Sequence, residues 1–148
     1  MCGGRKEKYI VSACLFGLRC RYNGRILERR KLPINREDAI LVCPEMLAGL
    51  RIPRTPSFFD NEKTGEGVLN GETKVISSDG EDRTEEFLKG SRKALEIAKK
   101  YKVKKAFLKE RSPSCGVNVV YVLNERTKGI GVTAALFKQH GIEIIGIE

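Results

Sequence analysis

Short, nearly continuous apolar runs, each ending at a cysteine or in a loop that carries one, constrain this chain more than any other feature. Residues 9–12 (YIVS) and 40–43 (ILVC) are too short for helices and too uniformly apolar for strands with one wet face. They read as strands buried on both sides, as in a parallel sheet. From residue 84 to 101 the pattern changes: Phe87, Leu88, Ala94, Leu95, Ala98 and Tyr101 recur on one helical face, and Asp82 with Glu85 stand where they can cap its start. Further strands are expected at 74–76 (KVI), 105–108 (KAFL), 117–123 (VNVVYVL) and Glu143–Ile147, with a helix over 132–140 that Gly141 terminates. Runs alternating with helices predict an α/β fold: a single-domain, three-layer sandwich with a mainly parallel, Rossmann-like sheet. The 148 residues suit one domain spanning 1–148.

Three cysteines fall where these strands give way to loops: Cys14 in VSACLFG, Cys43 in LVCPEM and Cys115 in KERSPSCG. If the strands before them run parallel in one sheet, their carboxyl ends share an edge, where open α/β sheets build ligand sites. Three thiolates at one edge suit a metal site with an open position. Structural zinc takes four ligands and often a CxxC knuckle, which is absent here. An iron-sulfur cube normally takes four thiolates, so three leave one iron for an outside ligand. The plainer reading is buried free cysteines acting as small hydrophobes. The neighbours favour a site. Pro44 stiffens the chain that presents Glu45, a carboxylate suited to proton exchange. Ser112 and Ser114 add hydroxyls around a rigid Pro113 turn, and Gly116 lets the backbone approach a ligand. Cys20 is a candidate fourth ligand whose participation would close the cluster. Cys2 reads as incidental. His140, the one histidine, reads as a cation at a helix C-terminus, so a Cys-His nucleophile is disfavoured.

A net charge of +9 raises the question of nucleic acid. The densest basic stretch, 99–111 (KKYKVKKAFLKER), straddles a helix end and a strand, so its side chains project in several directions. It reads as a solvated basic face, with a phosphate-tracking groove as the alternative. No apolar run approaches the roughly 20 residues that cross a bilayer, and no signal-peptide core is evident. The expected location is cytoplasmic, without a membrane partner. In that reducing compartment five cysteines read as ligands or catalytic groups in preference to disulfides.

The segments VSACLFGLRCRYNG, CPEMLAGLRIPRTP and KERSPSCGV, with GVTAALFKQHGI near the end, resemble the signature blocks of the thiouracil desulfurase-like family, long catalogued as a domain of unknown function. The resemblance covers most of the chain. It implies an α/β fold and a 4Fe-4S cluster held by three cysteines, matching Cys14, Cys43 and Cys115. It also implies a catalytic glutamate matching Glu45 and a catalytic serine, Ser112 before Ser114. The implied activity is non-redox desulfuration, of hydrolase or lyase type, of a thiolated nucleobase or related small thioamide, with the open cluster iron accepting the substrate sulfur. Arg54 is a candidate for contacting a substrate oxygen, and residues 53–71, with Phe58 and Phe59, for covering and stacking on a base. The chain departs from the family pattern at SFFD after PRTP and again after SPSCG, positions that bear on the substrate pocket.

A second class of function competes: a basic RNA-binding or metal-sensing protein with structural cysteines. Free base, nucleotide and thiolated RNA all remain open as substrate, and no oligomeric state is implied.

Overall fold

The computed structural model describes residues 7–26 and 31–148; Cys2 lies outside the described residues. In chain order the elements are β1 (Tyr9–Ser12), β2 (Ala39–Val42), α1 (Pro44–Leu47), β3 (Ser57–Phe59), α2 (Thr64–Leu69), β4 (Val75–Ser77), α3 (Thr84–Lys100), β5 (Lys105–Lys109), β6 (Val119–Val122), β7 (Glu125–Lys128), α4 (Val132–Gln139) and β8 (Glu143–Ile147). Short 3-10 turns occupy Ala13–Phe16 and Arg36–Asp38.

The fold is α/β. The apolar runs form an all-parallel sheet in the order β2-β1-β5-β8. One face carries Ile10, Val42, Ala106 and Leu108, packed against Ala94, Leu95 and Ala98 of α3 and Ala134 and Phe137 of α4. The other face, with Val11, Ala39 and Phe107, is covered by Leu15 and Phe16 of the first 3-10 turn and by Leu32 and Ile34. Helices, sheet and this cover make three layers. The helical face of α3 closes with Gly90 and Ser91 in place of Tyr101, which is exposed beyond the helix end under Lys100 Nζ, 5.5 Å from its ring. Asp82 accepts the Thr84 amide at 2.9 Å at the other end.

A second, mixed sheet, β4-β3-β6-β7, has one parallel pair at its centre and antiparallel pairs at both ends. Phe59, Val75 and Val120 from it meet Val68 of α2, Phe87 of α3 and Val132 of α4 in a separate apolar cluster. Of residues 53–71, expected as a cover, 57–59 form β3 in this sheet and 64–69 form α2. No helix among the described residues is long and apolar enough to cross a membrane.

Candidate functional site

Strand register brings the cysteines together. Ser12 pairs with Val42, so Cys43, one residue on, stands beside the turn that carries Cys14. On the other side Val11 pairs with Phe107, and the chain leaving β5 turns at Arg111, φ 71°, into the 112–116 loop with Cys115. Cys14, Cys43 and Cys115 line one cavity of about 830 Å³, a size that suits a small ligand. All are free thiols, as is Cys20.

Cys20 lines the same cavity and packs with Ala13 and Cys14, against which Cys43 also lies. Hydrogen bonds from Cys20 hold the Cys14 and Cys43 thiols below the usual range, and the same bonds push Cys20 up. Burial pushes Cys115 up, opposed by a hydrogen bond from Ser12.

Among the described residues no group of three His, Cys, Asp or Glu side chains converges tightly enough to hold a metal ion. A single zinc would draw its sulfurs to about 2.3 Å from one point. A cluster asks each thiolate to reach a separate iron. Thiols spread around one cavity wall therefore suit the larger group better than a lone ion.

Cys43 precedes α1, whose first residue is Pro44, placed where a missing N–H costs nothing. Glu45 follows in the first turn, but the cavity wall includes Cys43 and Pro44 without it. Its Oε2 accepts from Arg54 Nε at 2.9 Å and also from Arg54 Nη2. Arg54 Nη2 donates further to the Cys20 carbonyl at 3.0 Å and Nη1 to the Arg51 carbonyl at 2.9 Å. The Arg54 side chain is 5% exposed. Arg54 is not among the residues that line the cavity; its buried guanidinium lies beside the Glu45 carboxylate, and the pair ties α1 to the Cys20 loop.

Both serines line the cavity, in different settings. Ser112 lines the cavity, and its Oγ accepts the amides of Ser114 at 3.1 Å and Cys115 at 2.9 Å. A hydroxyl has two acceptor positions and one proton, so Ser112 keeps its proton for the cavity. Ser114 is 1% exposed, its Oγ 2.7 Å from Thr133 Oγ1, which lies 2.6 Å from Ser91 Oγ. This hydroxyl chain runs from Ser114 through Thr133 of α4 to Ser91 of α3. The carbonyls of Pro113 and Ser114 accept the first amides of α4, and Gly131 stands where an added Cβ would strike the Ser114 carbonyl.

Lys109, Ser12 and Tyr121 also line the cavity and escaped the sequence reading. Lys109 and Ser12 carry a signal: each is the last residue of a parallel strand in this sheet. Burial lowers the Lys109 ammonium, partly offset by nearby Cys14, and Arg21 and Arg111 stand close. Phe58 and Tyr121, from adjacent strands, line the cavity, whereas Phe59 packs in the core. His140 is exposed at the end of α4, its Nδ1 3.0 Å from the Leu136 carbonyl.

The family model for 2-thiouracil desulfurase matches residues 9–148. The chain belongs to the 2-thiouracil desulfurase family. The uncharacterized protein YbbK of Bacillus subtilis (strain 168) is 41% identical over 141 residues, 92% of this chain and 93% of its own. A solved structure of the [4Fe-4S]-dependent thiouracil desulfidase TudS matches with a TM-score of 0.78 at 34% identity, over 95% of this chain and 91% of that one. Phe58, in the SFFD segment after PRTP, and Tyr121, downstream of SPSCG, both line the cavity.

Proposed function

We propose that this protein removes sulfur from a thiolated nucleobase without net electron transfer, as a single domain in the reducing cytoplasm. The observation that carries the reading is the gathering of Cys14, Cys43 and Cys115 on one cavity wall in a member of this family. These three thiolates would hold a 4Fe-4S cluster. When bound, the cluster supplies a Lewis-acidic iron able to take the substrate sulfur. The overall change replaces C=S by C=O: water brings the oxygen, and sulfur leaves as hydrogen sulfide with water's two protons.

The chain's own residues place the base and move those protons. Phe58 and Tyr121 offer flat rings for a planar base to lie against. Glu45, with Oε2 held by Arg54, keeps Oε1 to accept a proton from the attacking water. Glu45 lies just beyond the cavity wall, and such contacts often tighten only once substrate binds. Ser112 delivers its free proton to the cavity, toward the departing sulfur. Lys109 adds a cation beside Cys14.

The test is anaerobic reconstitution with iron and sulfide analysis, then a sulfide-release assay on 2-thiouracil. About four irons and four sulfides per chain, lost in Cys14→Ala, Cys43→Ala and Cys115→Ala, are expected, with sulfide and uracil formed in equal amounts. In Glu45→Gln the cluster stays and sulfide release falls roughly 100-fold or more. Zinc in place of iron, or metal binding indifferent to the three cysteines, overturns the reading.

A further inference from the structure

We propose that the lysine-rich turn joining α3 to β5, residues 99–105, is a docking surface for single-stranded nucleic acid at the end of the parallel sheet opposite the cavity. The inference does not depend on the proposed cluster, and its test is read separately from desulfuration.

The fold splits the basic stretch 99–111 in two. Lys109 and Arg111 line the cavity at the carboxyl end of β5. Lys99, Lys100, Lys102 and Lys104 are exposed at its other end, where Lys105 is half-buried as the first strand residue. At about 3.3 Å per strand residue the two groups stand more than about 10 Å apart. Whatever the site does with its own cations, the remaining lysines are outside it.

Their backbone is a rigid mount. The amides of Tyr101, Lys102 and Val103 donate to the Ile97, Lys99 and Ala98 carbonyls at 3.2, 3.2 and 2.8 Å, and Lys102 makes the turn at φ 54°. Val103 is buried in the same core cluster as Ile142, and the Lys104 carbonyl accepts the Glu143 amide at 2.8 Å.

The lysines on this mount are not neutralised. Elsewhere Lys63 stands 2.7 Å from Glu72, Lys74 4.0 Å from Asp82 and Arg111 3.1 Å from Glu148. Among the described residues none of the five lysines is in an ion pair. Glu143 pairs in register with Lys105, and Glu96 precedes Lys99 and Lys100 by about one helical turn. Helix ends attract cations, but each carries only about half a negative charge. Five lysines therefore exceed both carboxylates and the ends of α3 and α4 together.

Such a surface suits a polyanion. Tyr101 decides which kind. Its side chain is 48% exposed, with Lys100 Nζ 5.5 Å from the ring centroid. A ring set among lysines gives an unpaired base something to stack on while the ammonium groups take the phosphates. A duplex keeps its bases stacked inside. A lipid surface asks for an apolar face, and the exposed Tyr22 and Leu123 line the cavity instead.

The experiment follows the fluorescence anisotropy of labelled oligouridylate, oligothymidylate and duplex RNA, each about 12 nucleotides long, on titration with the full chain prepared anaerobically. Wild type is expected to bind both single strands, with log affinity falling against log salt at a slope of about 3. Equal binding of the two supports the class, and a preference for one names the sugar. The variant Lys99→Gln/Lys100→Gln/Lys102→Gln/Lys104→Gln should lose about 10-fold or more in affinity and flatten the slope. Tyr101→Ala should lose roughly 5-fold or more with the slope kept. The matched variant Lys63→Gln/Lys74→Gln/Arg126→Gln/Lys128→Gln, which removes equal charge elsewhere on the surface, should bind as wild type does. Equal loss in both four-site variants reduces the effect to net charge and overturns the surface. Duplex binding as tight as single-strand binding, or tighter binding to phosphatidylglycerol vesicles, overturns the partner. Oligonucleotide that blocks 2-thiouracil turnover as it binds puts the strand in the cavity and overturns the location. A chain that releases sulfide but binds no strand overturns this inference alone; one that binds a strand and releases no sulfide counts against the desulfurase reading alone. If the lysine variant fails to fold, as its thermal melt will show, Tyr101→Ala decides.

Discussion

Ser112 and Ser114 stand two residues apart in one loop, and their surroundings set them different tasks. Ser112 receives two amides and keeps a proton for the cavity. Ser114 lines the same cavity, but its hydroxyl is engaged with Thr133. In cluster-loaded enzyme, Ser112→Ala is expected to lower kcat roughly 10²- to 10⁴-fold, the usual size of a lost proton-transfer group. Ser114→Ala should keep its kcat and lose about 1 kcal/mol of stability, because Thr133 retains Ser91 as a partner. Steady-state kinetics and urea melts on both variants check this. A collapse of kcat in Ser114→Ala with Ser112→Ala active would transfer the chemistry to the buried hydroxyl.

Elements act on the site through their packing, and the contact between α3 and α1 is the tightest instance. Gly90 of α3 faces α1 so closely that an added Cβ would run into the Pro44 carbonyl and lie 3.2 Å from the Ala48 Cβ. A carbonyl cannot swing aside as a side chain can, so Gly90→Ala must push α1 away, and with it Cys43 and Glu45. Alanine gains up to about 1 kcal/mol in helix propensity, while overpacking costs about 1–3 kcal/mol. A net loss of about 1 kcal/mol is expected, together with fewer irons retained per chain. Thermal melts and iron analysis test this, and unchanged iron retention would mean that α1 yields without disturbing Cys43. Such contacts are invisible in sequence, where a glycine inside a helix looks merely unfavourable. What was legible followed from period and length: β1, β2, β5 and β8 from apolar runs, α3 and α4 from their spacing. The second sheet was only half legible. Its β4 and β6 were expected at 74–76 and within 117–123, but β3 spans only three residues and β7 (ERTK) is polar throughout, so neither length nor alternation marks those two. Likewise the cysteines were legible because each follows a readable strand, whereas the Arg54–Glu45 pair depends on how a loop folds back over α1.

Across the whole molecule, one carboxylate links the two sheets next to the cavity. Glu110 follows β5 and is 5% exposed. Its Oε1 accepts the amides of Val117, Asn118 and Val119 at 2.8, 2.9 and 3.2 Å, and its Oε2 accepts Asn118 Nδ2 at 2.8 Å. It also lies against Gly146 of β8, where any Cβ would strike it. The parallel sheet is thereby tied to the start of β6. Burial pushes the Glu110 carboxyl up, but the donors from Asn118, Val117 and Val119 outweigh it and hold the group below its ordinary 4.5. A carboxyl lowered in the folded state stabilises the fold fully above its unfolded value, and that contribution is lost as pH falls through the folded value. Stability should therefore decline with acidification below 4.5 partly through this one group. Glu110→Gln removes the titration and sets an amide NH2 against a cluster of donors. It is expected to be less stable than wild type at neutral pH and to lose less on acidification. Urea midpoints of the metal-free proteins, measured from neutrality to below 4.5, decide the matter: curves that converge toward acid pH support the role. Parallel curves would show that Glu110 binds its proton equally well in the folded and unfolded chain, leaving acid sensitivity to other carboxylates.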